Sequence, residues 1–254
     1  MKRLSFLLYG SAAYVALLAS LLWAIGFIEG VGVPALDAQP PRFTPLSKAV
    51  AIDLLLIGAF GVSHSVMARR GFKRGWTSIV PPQIERSTYV VVASLLLAAI
   101  CRGWQPIEGV IWRLEGTPLR AVQALSLLGW GIVLVSSFLV DHLELYGLRQ
   151  SWYAFRGGKP PAPTLKTGSL YRFVRHPLYF GFLLAVWAAE RMTWSHLLFG
   201  AATTAYILVG ARLEERDLVA TFGEAYRDYQ RRVPRLVPFR LGRGGSGTPY
   251  PSTS

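Results

Sequence analysis

Cysteine is nearly absent from this chain. A single Cys101 in 254 residues excludes an intrachain disulfide framework, and its apolar neighbours mark it as a small buried thiol. Compact metal-ligand spacing is missing too, as are a phosphate loop, a dinucleotide-binding glycine fingerprint and a serine nucleophile elbow. No metal is therefore expected, and metal-dependent hydrolysis and ATPase chemistry lose their support. Acidic residues are scarce: 14 Asp and Glu stand against 27 Lys and Arg, a formal charge of +13. In a soluble chain that excess would suggest nucleic acid, but 52% of these residues are hydrophobic and the mean hydropathy is +0.36. In such a chain basic residues fix topology and meet anionic headgroups. Membrane lipid is an expected partner and nucleic acid is not.

What the chain has is apolar sequence in long blocks, which predicts an all-α, polytopic membrane bundle of about five spans. Ser5 to Ile28 holds no charge. Lys2-Arg3 before it resembles a signal-peptide start, yet no small-x-small cleavage site follows, so a retained first span is expected. A loop from Glu29 to Pro45 leads to a second span, Leu46 to Ala68, and then to a basic turn, Arg69 to Arg74. Val90 to Ile100 centres a third span and Ala121 to Val140 forms a fourth. Tyr146 to Thr167, rich in Gly, Pro and basic residues, reads as an extramembrane loop.

Leu178 to Gly210 is apolar except at Glu190-Arg191 and His196, which predicts a hairpin with a short and a longer arm. A single tilted span is the alternative, and would separate the polar clusters at its two ends. Charge bias favours the hairpin, because it keeps every strongly basic segment on one side, read as cytoplasmic. Leu213 to Tyr229 continues as a helix with Leu218, Phe222 and Tyr226 on one stripe, ended by Pro234 and Pro238. Residues 1–240 read as one domain, and 241–254, dominated by Gly, Ser, Thr and Pro, as a disordered tail.

The hairpin would bring Arg172, Arg175 and His176 to the same face as Glu214-Glu215. Arginine forks and an imidazole can receive a carboxylate or phosphate, although a headgroup-facing collar has the same pattern. Pro177 suits the first turn of a helix, and Tyr171 and Tyr179 suit either adenine stacking or the membrane interface. The adjacent glutamates point in different directions on a helix: one carboxylate would hold a cationic or hydroxyl-bearing ligand while the other organises an arginine, with a solvated salt network as the plainer reading. Asp53 is an ionisable group inside a span, which needs a cavity or a partner. His64 and His142, near the inner ends of their spans, can supply acid-base or orienting groups. His196, at the opposite turn, reads as structural.

Two runs carry a resemblance. Gly168-Ser-Leu-Tyr-Arg-Phe-Val-Arg-His-Pro-Leu-Tyr-Phe-Gly181, with Glu214-Glu215-Arg-Asp-Leu218 and Phe222-Gly-Glu-Ala-Tyr-Arg-Asp-Tyr229, resembles the membrane methyltransferases that include isoprenylcysteine carboxyl methyltransferases. Ser63-His-Ser-Val-Met-Ala-Arg69 is similar to the NnrU-related branch, and Trp152 to Arg156 with the overall length is most similar to bacterial methanethiol S-methyltransferases. That resemblance implies a multi-pass protein of the bacterial inner membrane, with its motif loops and C-terminus in the cytoplasm. It implies S-adenosylmethionine as methyl donor, S-adenosylhomocysteine as product, and a small thiol substrate: methanethiol giving dimethyl sulfide, with hydrogen sulfide as a second acceptor. Tyr171, Arg175, His176, Pro177 and Tyr179 match its cofactor motif, Arg172 is their neighbour, and Glu214 and Glu215 match its acidic half.

Ionising a simple thiol of pKa near 10 at neutral pH costs roughly 4 kcal/mol, so a base or positive field would help. His64, His142, Asp53, Arg175 and one of the two glutamates are the candidates. Two alternatives stay open: carboxyl or lipid methylation of a larger membrane substrate, and a haem-binding NnrU-like isomerase with His64 and His142 as axial ligands. The oligomeric state is not fixed by the pattern, since an apolar helix face can meet lipid or another subunit.

Overall fold

The computed structural model describes residues 2–39, 42–158, 160–162 and 164–238; the expected tail at 241–254 lies outside them. In chain order the elements are α1 (Lys2–Glu29), α2 (Leu46–Met67), α3 (Arg70–Trp76), α4 (Glu85–Gly103), β1 (Val110–Arg113), α5 (Gly116–Val140), α6 (His142–Leu145), α7 (Leu148–Arg156), a 3-10 turn (Ser169–Arg172), α8 (Pro177–Trp187), β2 (Arg191–Thr193), α9 (Trp194–Phe222) and α10 (Glu224–Arg232). Among the described residues five helices, α1, α2, α4, α5 and α9, are long and apolar enough to cross a membrane. The expected all-helical polytopic bundle is present, with one addition, a two-stranded antiparallel sheet of β1 and β2.

The hairpin is the arrangement found. α8 has 11 residues, about 16 Å at 1.5 Å per residue, roughly half a hydrocarbon core of about 30 Å. A three-residue link carries it on to β2, which pairs Val110 with Thr193 and Arg113 with Arg191. There His196 meets Asp37 Oδ2 at 3.2 Å and the Val186 carbonyl at 2.7 Å, which ties α9 to the end of α8. The longer α9 then returns to the opposite face.

Lipid tails supply no hydrophobic drive between helices, so close packing must hold them together. α8 lies against α5 through small residues: a Cβ on Gly129 would stand 2.7 Å from the Gly181 carbonyl oxygen and 2.6 Å from the Ala185 amide nitrogen. One half of the core gathers Phe27, Ile57, Trp104, Val186 and Phe199. The other half gathers Ala13, Leu17, Met67, Tyr89 and Val90.

Three local features differ from expectation. The basic turn after α2 is helical (α3), and the 146–167 loop contains α7, whose Leu148, Trp152 and Phe155 recur at helical spacing. Seven- and nine-residue helices are too short to stand out in a hydropathy window. The tail is two helices: Gly223, at φ +57°, turns the chain between α9 and α10, a conformation that glycine adopts at little cost.

Candidate active site

The C-terminal part of α9 is organised around one carboxylate. Glu215 is 3% exposed; its Oε1 accepts from Arg175 Nε at 2.7 Å and faces His176 Nε2 at 3.3 Å. Its Oε2 accepts from Arg235 Nε at 3.0 Å and from Gln230 Nε2 at 3.3 Å. Arg175 is spanned between this carboxylate and the tail, because its Nη1 donates to the Gln230 carbonyl at 3.0 Å and also to that of Val233. The backbone seals the same junction, with the Arg175 amide on the Pro234 carbonyl at 2.9 Å and the His176 amide on that of Arg235 at 3.1 Å. A short strap, Val233 to Leu236, is thereby laid over the start of α8. Buried charge of this kind is tolerable only when paired and hydrogen-bonded, and here three basic side chains and an amide share two oxygens.

Pro177 occupies the first turn of α8, where its missing N–H leaves no bond unmade. Beneath it Tyr171, Tyr226 and Tyr229 form a packed cluster with Leu139, Leu218 and Phe222. Burial raises all three phenols, Tyr229 to about 12 and the other two further, so they stay neutral under physiological conditions. Tyr229 donates to the Tyr171 carbonyl. This cluster fixes the angle of α10 and hence the strap.

Glu214 points elsewhere, as adjacent helical residues must. It accepts from the Tyr179 hydroxyl at 2.8 Å and lies 3.6 Å from His176 Nδ1, whose ring stacks on Tyr179 with centroids 5.3 Å apart. Its side chain is 43% exposed, so this carboxylate is open to a ligand where Glu215 is not. Two further tyrosines, Tyr89 on α4 and Tyr206 on α9, stand apart from these contacts. Those rings surround His64: Tyr89 OH meets its Nε2 at 2.7 Å, Phe60 stacks on it at 5.2 Å and Tyr206 stands edge-on at 6.4 Å. His64 therefore sits in an aromatic surround contributed by α2, α4 and α9.

The other sequence candidates lie apart. Asp53 is fully buried, accepting the Gln105 amide at 2.8 Å near the outer end of α2. Eleven residues of helix, about 16 Å, separate it from His64. His142 sits between α1 and α5, bonded to Tyr14 OH at 2.7 Å and Ser137 Oγ at 2.9 Å. With both nitrogens occupied and its neighbours on helices other than those around His64, it offers no axial partner to that residue. Arg172 is exposed and lies over the Phe173 ring at 4.6 Å, away from the carboxylates.

Sequence reading missed Gln230, Arg235, Tyr89 and Tyr206. Tyr206 had a usable signal, since it precedes Glu214 by eight residues and so shares its helix face. Arg235 had none, because it follows Pro234 outside any periodic segment.

A cavity of about 420 Å³ opens beside the hub, lined by Arg212, Glu215, Arg216, Val219, Gln230 and Arg235. Arg212 and Arg216 have no hydrogen-bond or ion-pair partner among the described residues, which leaves two cations for a ligand's anionic group. A larger groove, about 830 Å³, lies at the other end of the bundle between Leu46, Val50, Trp194 and Leu198 and touches none of the motif residues.

A multi-pass helical bundle with paired Arg-His and Glu-Glu elements strapped together at one face defines an integral membrane protein whose polar site opens at the water boundary. The chain is similar to methanethiol S-methyltransferase 2 of Bradyrhizobium diazoefficiens, at 46% identity over 242 residues covering 95% of this chain and 93% of the relative. It is similar to the methanethiol S-methyltransferase of Mycobacterium tuberculosis at 46% over 240 residues, covering 94% and 98%. It therefore belongs to the methanethiol S-methyltransferase family. Xenopus laevis Nurim is more distant, at 26% identity over 73% of this chain and 68% of its own length. A family model described as a protein of unknown function (DUF1295) matches residues 109–233. No solved structure matches.

Proposed function

We propose that the chain transfers the methyl group of S-adenosylmethionine to methanethiol, releasing dimethyl sulfide and S-adenosylhomocysteine, at the cytoplasmic face of a bacterial inner membrane. The observation that carries this reading is near-full-length identity with methanethiol S-methyltransferases. The site chemistry agrees with it. S-adenosylmethionine has a carboxylate, an ammonium, a ribose diol, an adenine and a sulfonium, and supplies an electrophilic methyl when bound. Arg212 and Arg216 are suited to its carboxylate, Gln230 to hydroxyls, and the open Glu214 carboxylate to a cationic group. Tyr171, Arg175, His176, Pro177, Tyr179 and Glu215 hold these elements together.

A thiolate and a sulfonium react to give two neutral thioethers, so an environment drier than water favours the transfer once binding has offset desolvation. The aromatic surround of His64 is such an environment, and it adjoins apolar helices through which a small membrane-soluble thiol can enter. Lipid is then both solvent and partner. The arginine-rich end, holding Arg69, Arg149, Arg175, Arg212 and Arg235, faces the cytoplasm under the positive-inside rule.

The deciding assay is labelled-methyl transfer from S-adenosylmethionine by protein in lipid, offered methanethiol, hydrogen sulfide, a prenylated cysteine analogue and a lipid extract in parallel. Selective formation of dimethyl sulfide is expected. Transfer to the prenylated analogue or lipid alone would replace the thiol reading with that of a larger membrane substrate. No transfer to any acceptor would remove the methyltransferase reading.

A further inference from the structure

We propose that His64 is the catalytic base that takes the proton from the thiol, an assignment that rests on the methyl-transfer reading above. The chain has four histidines, and three have a polar group facing each ring nitrogen, at 3.6 Å in the case of His176 Nδ1 and within hydrogen-bond distance otherwise. His142 has Tyr14 and Ser137, His176 has Glu214 and Glu215, and His196 has Asp37 and the Val186 carbonyl. His64 alone keeps a nitrogen in reserve: Nε2 meets Tyr89 OH, while Nδ1 is buried with no partner.

A polar atom buried without a partner calls for an explanation, and this one lies on the side of the bundle where chemistry is expected. The imidazole is held in place by the Phe60 stack, by Tyr89 with its centroid 4.9 Å away and by Tyr206. Each charged or titratable group around it belongs to a packed neighbour. Tyr89 and Arg86 come from α4, the Arg86 guanidinium lying over the Tyr89 ring at 4.9 Å. Tyr206 comes from α9. Arg69, at the end of α2, bonds the Leu213 carbonyl at 2.9 Å and Asp217 at 2.7 Å, which fixes the helix carrying His64 to the helix carrying Glu214. The proton acceptor and the open carboxylate of the donor site are thereby held on two helices joined at this level.

The step balances. With Nε2–H donated to the Tyr89 oxygen, Nδ1 presents a lone pair. The thiol S–H bond breaks, its proton passing to Nδ1 and its electron pair remaining on sulfur. That pair forms the new S–CH3 bond as the bond from the methyl carbon to the sulfonium sulfur breaks, leaving its own pair on S-adenosylhomocysteine. His64 then loses its proton to water as products leave.

The test uses the full chain in lipid with His64→Gln. S-adenosylmethionine affinity is expected to stay within about threefold of the unmodified protein, while methanethiol turnover at saturating donor falls roughly 10²- to 10⁴-fold. With 2,2,2-trifluoroethanethiol, a more acidic thiol, the deficit is expected to shrink at least about tenfold, because less of the barrier is then proton removal. Unchanged methanethiol turnover, or the same loss for both thiols, overturns the assignment. If His64→Gln no longer binds the donor, Tyr89→Phe carries the test: it frees Nε2 and should slow methanethiol more than the acidic thiol, and an equal effect on both overturns the assignment. An unmodified protein that methylates no thiol refutes the underlying reading instead.

Discussion

Glu215 fills the acceptor capacity of its carboxylate: Arg175, His176, Gln230 and Arg235 converge on its two oxygens. Removing one member of a buried pair leaves the others as uncompensated charge, at a cost of about 3–5 kcal/mol. Glu215→Gln should therefore lower the thermal unfolding midpoint markedly and release the strap, with donor binding lost in calorimetric titration. Tyr179 tests the other glutamate. Its hydroxyl bond to Glu214 is charge-assisted, a type that contributes about 1.5–3 kcal/mol to folding, so Tyr179→Phe should lower the unfolding free energy by about that amount and, by leaving the Glu214 carboxylate unoriented, weaken donor binding by roughly tenfold. A variant that loses stability and keeps its affinity would show Tyr179 to be a packing residue only.

The element whose placement matters most is α8, a half-length helix held to α5 by the absence of side chains at Gly129 and Gly181. A Cβ on Gly181 would stand 2.7 Å from the Gly129 carbonyl oxygen and 2.9 Å from Ile132 Cβ, and backbone cannot give way as a flexible side chain can. Gly181→Leu is expected to push α8 off α5 at a cost of about 1–3 kcal/mol from overpacking. Helix content by circular dichroism should be retained while donor binding falls, since Arg175, His176 and Tyr179 move with α8. This element was legible in the sequence for a physical reason: Glu190-Arg191 interrupts an apolar run too long for one crossing, and charge bias selects the fold-back. The short helices α3 and α7 were not legible, because their interfacial residues mix Arg with Trp and Phe and leave no hydropathy signature. The candidate site was half legible. Its clustered motif residues announced themselves, whereas Tyr89 belongs to no motif and Arg235 depends on a strap that only tertiary contacts define.

At the scale of the molecule, the two ends of the bundle differ in kind. One carries the arginine-rich hub; the other carries the β1–β2 pair, where the Leu114 amide bonds the Glu190 carbonyl at 2.9 Å, and the His196 clamp. Single cysteines report this difference, because Cys101 is buried and replaceable by alanine. Thr167 and Glu115 are both exposed, so in a Cys101→Ala background Thr167→Cys should react with a membrane-impermeant maleimide only from the cytoplasmic side, and Glu115→Cys only from the outside. Labelling of both from one side would overturn the proposed topology.

The segment shared with the broad family, residues 109–233, contains Tyr171, Arg175, His176, Tyr179, Glu214, Glu215 and Gln230. It begins after α2 and α4, the helices that bring His64 and Tyr89. Under the assignments proposed above, most of the donor-binding residues fall within this segment and the proposed base falls before it, so the two could be revised separately. A chimera that keeps residues 109–254 and takes its preceding helices from a relative with another acceptor should retain affinity for S-adenosylmethionine while exchanging the molecule it methylates.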